Sequence, residues 1–171
     1  MLVGVVSDTH DNVWAARAAA RLFRERGAEL VIHLGDIVAP FTLRVFHEEG
    51  IARLVAVYGN NCGERPGLAR VAQAAGYEIT DWPRELAIGG RRLLLLHGAG
   101  PAENTVAMVE ALASSGRWDA VLYGHTHRVD NRRIGGVLVL NPGEACGCLT
   151  GRKTAAILDT DTLEAETVEL P

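Results

Sequence analysis

The sequence predicts an α/β fold, a two-sheet mixed β-sandwich flanked by helices, and three observations predict it. Short blocks of four to six residues recur that are apolar on both faces, the signature of strands buried inside layered sheets. Segments of helical periodicity separate the early blocks, which requires crossovers and a largely parallel arrangement there. The later blocks come in pairs joined by turn residues, as hairpins do.

The first block, Leu2 to Ser7, is a strand that ends at once in Asp8-Thr9-His10-Asp11. From Val13 to Arg26, Ala15, Ala18, Ala19, Leu22 and Phe23 repeat at helical spacing; Asp11-Asn12 before it and Gly27 behind it are helix-end signals. Leu30 to Leu34 is the second strand. Pro40 to Glu49 follows as a helix with Pro in its first turn and Gly50 behind it. Leu54 to Tyr58 is the third strand, and Leu68 to Ala75, stopped by Gly76, the third helix. From Glu78 to Leu96 two strand-like runs flank Gly89-Gly90. Glu103 to Ser114 is the fourth helix. Ala120 to Tyr123 is a strand, Arg132 to Val137 turns through Gly135-Gly136 into Val137 to Leu140, and Thr154 to Asp159 pairs with Glu164 to Leu170. Trp14, Phe23, Phe41 and Phe46 fall at helical spacings and are expected in the core.

The 171 residues suit one domain, 1–171, able to bury roughly 70% of the surface of its unfolded chain. With 48% hydrophobic and 22% charged residues, the chain is outside the disordered and low-complexity classes. A net charge of −4 argues against a protein that grips duplex nucleic acid through its phosphates. Three unevenly placed cysteines make no disulfide framework, and Cys146-Gly147-Cys148 is a poor match for structural zinc, so the reading is reduced thiols in a cytoplasmic protein. Met1 leads straight into the first strand, and no apolar run reaches the ~20 residues of a membrane span.

The chemistry-bearing residues cluster where strands end. Asp8 and His10 follow the first strand, Asp36 the second, Asn60 the third; His97 follows the Leu93 block, and His125 and His127 the Ala120 block. In open α/β sheets such strand ends line the site crevice, so groups distant in sequence can converge. Imidazoles, carboxylates and an amide are hard-to-borderline ligands, and they are too many for one tetrahedral zinc. Shared between two ions about 3.5–4 Å apart, they suit a two-metal hydrolytic site.

Taken in order, Asp8-x-His10, Gly35-Asp36, Gly59-Asn60, His97-Gly98 and Gly124-His125-Thr126-His127 resemble the calcineurin-like metallophosphoesterase superfamily. His33-Leu34-Gly35-Asp36 and Asn141-Pro142-Gly143 are similar to its small YfcE-type phosphodiesterase branch. The resemblance implies a four-layer α/β/β/α fold and a first metal held by Asp8, His10 and His127. It also implies a second metal held by Asn60, His97 and His125, with Asp36 bridging. The ions it implies are divalent, commonly Mn²⁺, with Ni²⁺, Fe or Zn²⁺ as substitutes. The implied activity is hydrolysis of small phosphodiesters by a hydroxide held between the metals. Homo-oligomers, dimeric or tetrameric, are common in that branch.

Departures from the family pattern shape further expectations. Where larger protein phosphatases of the superfamily carry a histidine after the Gly-Asn pair, this chain has Asn61 and then Cys62. Without that acid, aryl phosphodiesters are expected to outrun alkyl monoesters, a positioned acid contributing typically 10²–10⁴-fold. Relatives often end the last motif in Ser, where Glu144 stands here, so the loop chemistry at Asn61, Cys62 and Glu144 is open. Cys62 reads as a thiol that could be exposed. His33 reads as a satisfied core histidine or a partner of a ligand, and His47 as surface. Asp11 reads as the cap of the first helix, with Asn12 competing. Arg65 is a candidate for touching substrate; Arg128, Arg132 and Arg133 read as a solvated hairpin. Two alternatives stay open. One is a phosphomonoesterase or short-oligonucleotide nuclease. The other is a catalytically weak scaffold, since the eukaryotic retromer scaffold subunit resembles this family with a drifted site; the intact ligand types here weigh against it.

Overall fold

The computed structural model describes residues 1–171. Two mixed sheets lie face to face. The first has the order β11-β10-β1-β2-β3-β4, built from β1 (Leu2–Val6), β2 (Leu30–His33), β3 (Leu54–Val57), β4 (Glu78–Thr80), β10 (Thr154–Asp159) and β11 (Glu164–Glu169). The second has the order β5-β6-β7-β9-β8, from β5 (Arg84–Ile88), β6 (Arg91–Leu95), β7 (Ala120–Leu122), β8 (Val129–Ile134) and β9 (Val137–Pro142). Strands β1 to β4 run parallel, as do β6, β7 and β9, while β10, β11, β5 and β8 pair antiparallel with their neighbours.

Strand alternation sorts side chains into layers. Opposite Leu30 and Ile32 stand Val3 and Val5; these four, with Val55, Leu93, Leu95, Leu122 and Leu140, form the core between the sheets. Val6 and Val31 face the other way, onto helices α1 (Val13–Glu25), α2 (Pro40–Glu48) and α3 (Arg65–Ala75). On the far side, Leu94, Leu96, Val121 and Val139 pack against α4 (Ala102–Ser114) through Val109 and Ala113. The four layers are thus α/β/β/α. No helix is long and apolar enough to cross a membrane.

Four details depart from the sequence reading. The run from Glu78 is broken at Asp81-Trp82-Pro83: β4 completes the first sheet, and only β5 and β6 form the hairpin about Gly89-Gly90. Helix α3 begins at Arg65, because Pro66 is accommodated in a first turn that needs no amide there. Asn12 caps α1, its Oδ1 accepting from Ala15 N at 3.1 Å. Asp11 instead serves α2, which has no cap of its own: its Oδ1 accepts from Ala39 N at 2.9 Å and from Thr42 Oγ1 at 2.7 Å. Finally, Phe23 and Phe46 are buried as expected, but Trp14 is 79% and Phe41 50% exposed. Both lie on the outer face of their helix: Trp14 shares it with Arg21 and Glu25, away from buried Ala15, Ala16, Ala19, Ala20 and Phe23, and Phe41 shares it with Arg44 and Glu48, away from buried Leu43 and Phe46.

Candidate metal centre

All the strand-end residues meet at one edge of the sandwich. The floor is Asp8, Asp36 and His97, each buried; His10, His125 and His127 are half-buried above it, and Asn60 lies at the surface. The backbone is unusual here: Asp8, His10, Asp36, His125 and His127 all take positive φ, between 40° and 69°. Non-glycine residues in that region are uncommon and cluster at functional sites, where surrounding bonds over-determine them. Here the loops hold one another, Asp8 N donating to Gly35 O at 3.1 Å and His10 N to Asp36 O at 3.0 Å.

Close approach of backbones makes two glycines obligatory. At Gly35, φ is +100° and a Cβ would stand 2.5 Å from His97 Nδ1. A Cβ on Gly59 would run into the carboxylate and amide of Asp36.

Two groups of donor atoms flank Asp36. On one side are Asp8, His10 and His127: Asp8 Oδ1 is 3.4 Å from His127 Nε2 and 3.8 Å from His10 Nε2, and the two rings stack at 5.1 Å. Asp36 Oδ2 is 3.4 Å from His10 Nε2. On the other side Asn60 Oδ1 is 3.0 Å from His97 Nε2 and 2.9 Å from His125 Nδ1, and Asp36 Oδ1 is 3.4 Å from His97 Nε2.

The rings are fixed from behind. His97 Nδ1 donates to Leu34 O at 2.7 Å, and His125 Nε2 to Gly100 O at 2.7 Å. A carbonyl only accepts, so in a neutral ring the nitrogen turned toward Asn60 Oδ1 carries the lone pair in both cases. His127 Nδ1 lies 2.6 Å from Glu144 Oε2. Asp8 Oδ2 is satisfied by Ser7 Oγ at 2.5 Å and His125 N at 3.1 Å.

These residues fit divalent cations. Asp8 Oδ1 and His10 Nε2 are buried without a hydrogen-bond partner, a costly state that a cation between Asp8, His10 and His127 would relieve. Around Asn60, lone pairs of oxygen and imidazole nitrogen converge. Nitrogen and carboxylate donors together suit Mn²⁺, Fe²⁺, Ni²⁺ or Zn²⁺.

Without a cation, the charged groups of the site stabilise one another. Burial works against the charge of Asp36, yet the bonds from His97 and Asn61 outweigh it and hold this carboxyl far below its usual range. Burial likewise opposes the charge of His97, but Asp36 and Asp8 nearby leave its pKa raised. Glu144 is held at about 2: burial is overcome by His127 and by donors from Thr150 and Leu149. The Cys146 thiol is pushed well up by burial and by its neighbours.

Several residues the sequence left open acquire a place. Asn61 serves Asp36 with both donors, its N to Oδ1 at 2.8 Å and its Nδ2 to Oδ2 at 2.7 Å. Asn141 fastens the His125 loop, donating to Gly124 O and to Thr126 Oγ1, each at 3.0 Å. His33 is buried with both ring nitrogens taken up by Thr9 and Gly35, so it supports the neighbouring loops and offers no free nitrogen to the donor groups. Cys62, whose exposure the sequence left open, is buried, its sulfur accepting from Gly59 N at 3.3 Å, because the Asn60-Asn61 turn folds the thiol inward. Arg65 pairs with Asp81 and lies over the Tyr58 ring at 4.0 Å. Arg132 is engaged by Asp130 and Glu110, and Arg133 by the carbonyls of Gly136 and Leu163.

Comparison with known proteins gives consistent likenesses. Residues 1–163 match the calcineurin-like phosphoesterase superfamily domain. The chain is 38% identical over 171 residues to a phosphodiesterase of Methanocaldococcus jannaschii, covering 99% of each. It is 26% identical over 172 residues to phosphodiesterase YfcE of Escherichia coli K12, covering 92% of this chain and 86% of the other. The solved structure of an archaeal phosphodiesterase superposes with a TM-score of 0.88 at 36% identity, over 99% of this chain and 100% of that one.

Proposed function

The chain belongs to the calcineurin-like phosphoesterase superfamily, a family of phosphoester hydrolases, and we propose that it is a phosphodiesterase working with two divalent ions. The observation that carries this reading is the position of Asp36, whose two carboxylate oxygens face different donor groups, Oδ2 toward His10 and Oδ1 toward His97. Asp8, His10 and His127 would hold one ion, Asn60, His97 and His125 the other, and Asp36 both. Two divalent ions so placed supply a water of lowered pKa and neutralise phosphoryl oxygens during in-line displacement.

The chain's own residues supply position and shape. Leu34 O and Gly100 O keep His97 and His125 turned into the site, and Asn61 keeps the Asp36 carboxylate from rotating. A cleft of about 730 Å³ opens beside His127, walled by Val106, Ala107, Val129 and Leu149, with Arg128 among its lining residues. Its size is that of a small-molecule site, suited to the organic groups of a small diester. The Arg128 guanidinium can take a phosphoryl oxygen. Asn61 stands where a proton-donating histidine would stand in larger relatives and is occupied by Asp36. The leaving group therefore departs without that acid, which favours aryl diesters over alkyl monoesters.

The test is hydrolysis of bis-p-nitrophenyl phosphate beside p-nitrophenyl phosphate. Chelator-stripped protein is re-supplied in turn with Mn²⁺, Ni²⁺, Zn²⁺ and Mg²⁺, and bound metal is counted by elemental analysis. The expected result is metal-restored cleavage, faster for the diester, at about two ions per chain. Folded protein that turns over neither ester with any metal overturns the reading and favours a scaffold on the same fold.

A further inference from the structure

Behind His127, on the side away from the donor groups, lies a carboxylate that the proposed reaction does not use. Glu144 follows β9 and Gly143 and is completely buried. An ionised carboxylate without solvent persists only where donors saturate it. Here Oε1 accepts from Thr150 N at 2.5 Å, Thr150 Oγ1 at 2.7 Å and Leu149 N at 3.0 Å. Oε2 takes His127 Nδ1 at 2.6 Å, the Cys146 thiol at 3.2 Å and a share of the same Leu149 N at 3.1 Å.

We infer that Glu144 is a positioning residue for metal binding, fixing the tautomer and ring orientation of His127 so that Nε2 presents its lone pair beside Asp8 and His10. The inference rests on the metal reading above. Its physical basis is the one-sidedness of a carboxylate, which only accepts. With backbone amides and a hydroxyl feeding Oε1, and a carboxylate facing the ring, Nδ1 of His127 must be the donor. Nε2, 3.4 Å from Asp8 Oδ1, is then the ligating nitrogen. Carboxylates behind metal-bound histidines act in this way, and their loss typically costs 10–100-fold in metal affinity.

The competing explanation is that Glu144 merely knits the loop from Cys146 to Thr150. Glu144→Gln separates the two. The amide oxygen can keep the Leu149 and Thr150 donors, while the amide nitrogen turned toward His127 is itself a donor. The ring must then answer with an unprotonated Nδ1, leaving its proton on Nε2, where the metal should sit. Thr150→Val is the complement, loosening the loop while sparing the bond to His127.

Both variants and the wild type would be stripped with chelator and titrated calorimetrically with Zn²⁺, with thermal unfolding followed alongside. Imidazole nitrogens of the Zn²⁺-loaded wild type would be assigned by ¹⁵N NMR. The expected result is a 10–100-fold loss of affinity at one of two sites in Glu144→Gln. Thr150→Val should lower the unfolding temperature with both affinities kept, and the wild-type His127 proton should lie on Nδ1. Wild-type affinity at both sites in a folded Glu144→Gln overturns the inference, as does a proton on His127 Nε2 in the loaded wild type. The NMR result decides even if Glu144→Gln does not fold. Wild-type protein that binds no Zn²⁺ overturns the metal reading itself, a different failure from metal binding indifferent to residue 144.

Discussion

Acid should destabilise the metal-free protein well above the range in which carboxylates titrate, and His33 is the reason. This histidine ends β2 with no exposed surface, edge-on to Phe46 at 5.9 Å between ring centres. Gly35 N donates to its Nδ1 at 3.3 Å, which leaves Nε2 to donate to Thr9 Oγ1 at 3.1 Å. Burial is the main force on its pKa and brings it down to about 3, with the Asp8 charge only partly offsetting. An unfolded chain holds this imidazole at about 6.5. Between those values the unfolded state takes up a proton that the folded state refuses, so stability falls as pH falls, by about 1.4 kcal/mol per pH unit. From pH 6.5, where the unfolded imidazole is half protonated, to pH 4.5 the loss is about 2 kcal/mol, against the 5–15 kcal/mol typical of a whole domain.

Other shifted groups act outside that window. His10 and His97 have raised pKa values, so their contribution is complete below about 6.5 and is lost as pH rises above it. The depressed carboxyls of Asp36, Glu49 and Glu144 stabilise above about 4.5 and lose that contribution only as pH falls below it. Urea unfolding of chelator-stripped protein at pH 7, 6 and 5 would measure the slope beside His33→Asn. The variant should be less stable at pH 7 by about 1–3 kcal/mol, the cost of disturbing a buried hydrogen-bonded group. Its slope between pH 7 and 5 should be flatter by about 1 kcal/mol per unit on average, since the unfolded imidazole takes up its proton partway through that range. Equal slopes in both proteins would refute the argument.

Three further outcomes are expected. Asp36→Asn should leave the fold intact by circular dichroism and abolish diester hydrolysis, because one carboxylate serves both donor groups; full turnover in this variant would sink the two-ion reading. Asn61→Ala removes the 2.7 Å bond to Asp36 Oδ2, and a bond to a charged group is worth about 1.5–3 kcal/mol, so kcat should drop about 10–100-fold. Steady-state kinetics at saturating metal would check it, and an unchanged kcat would show that Asp36 needs no such support. Asp11→Ala removes the remote cap of α2 and should lower unfolding free energy by about 0.5–2 kcal/mol, measured by denaturant titration, whereas Asp11 as the cap of α1 would leave α2 unaffected in hydrogen exchange.

Much of this molecule is legible in its sequence because the relevant signals are local. Apolar blocks, helical periodicity and end signals such as Gly27, Pro40 and Gly76 act between near neighbours, and they place all four helices and most of the strands within a few residues, though not the break that separates β4 from β5. Asp8, His10, Asp36, Asn60, His97, His125 and His127 are also readable, since each follows a strand and parallel strands deliver their ends to one edge. What the sequence left open depends on partners far along the chain. Pairing of β1 with β10, Asp11 reaching Ala39, Asn12 bonding Cys146 O and Glu144 meeting His127 are contacts made by folding. No periodicity encodes them. Trp14 and Phe41 show the same limit, because an aromatic side chain in a helix reads as core, while the fold packs α1 on its Ala15-Ala19-Phe23 face and α2 on its Leu43-Phe46 face and leaves these two on the outer side. Tertiary structure therefore decided which polar groups support the donor atoms, since a hydrogen bond depends on distance in space.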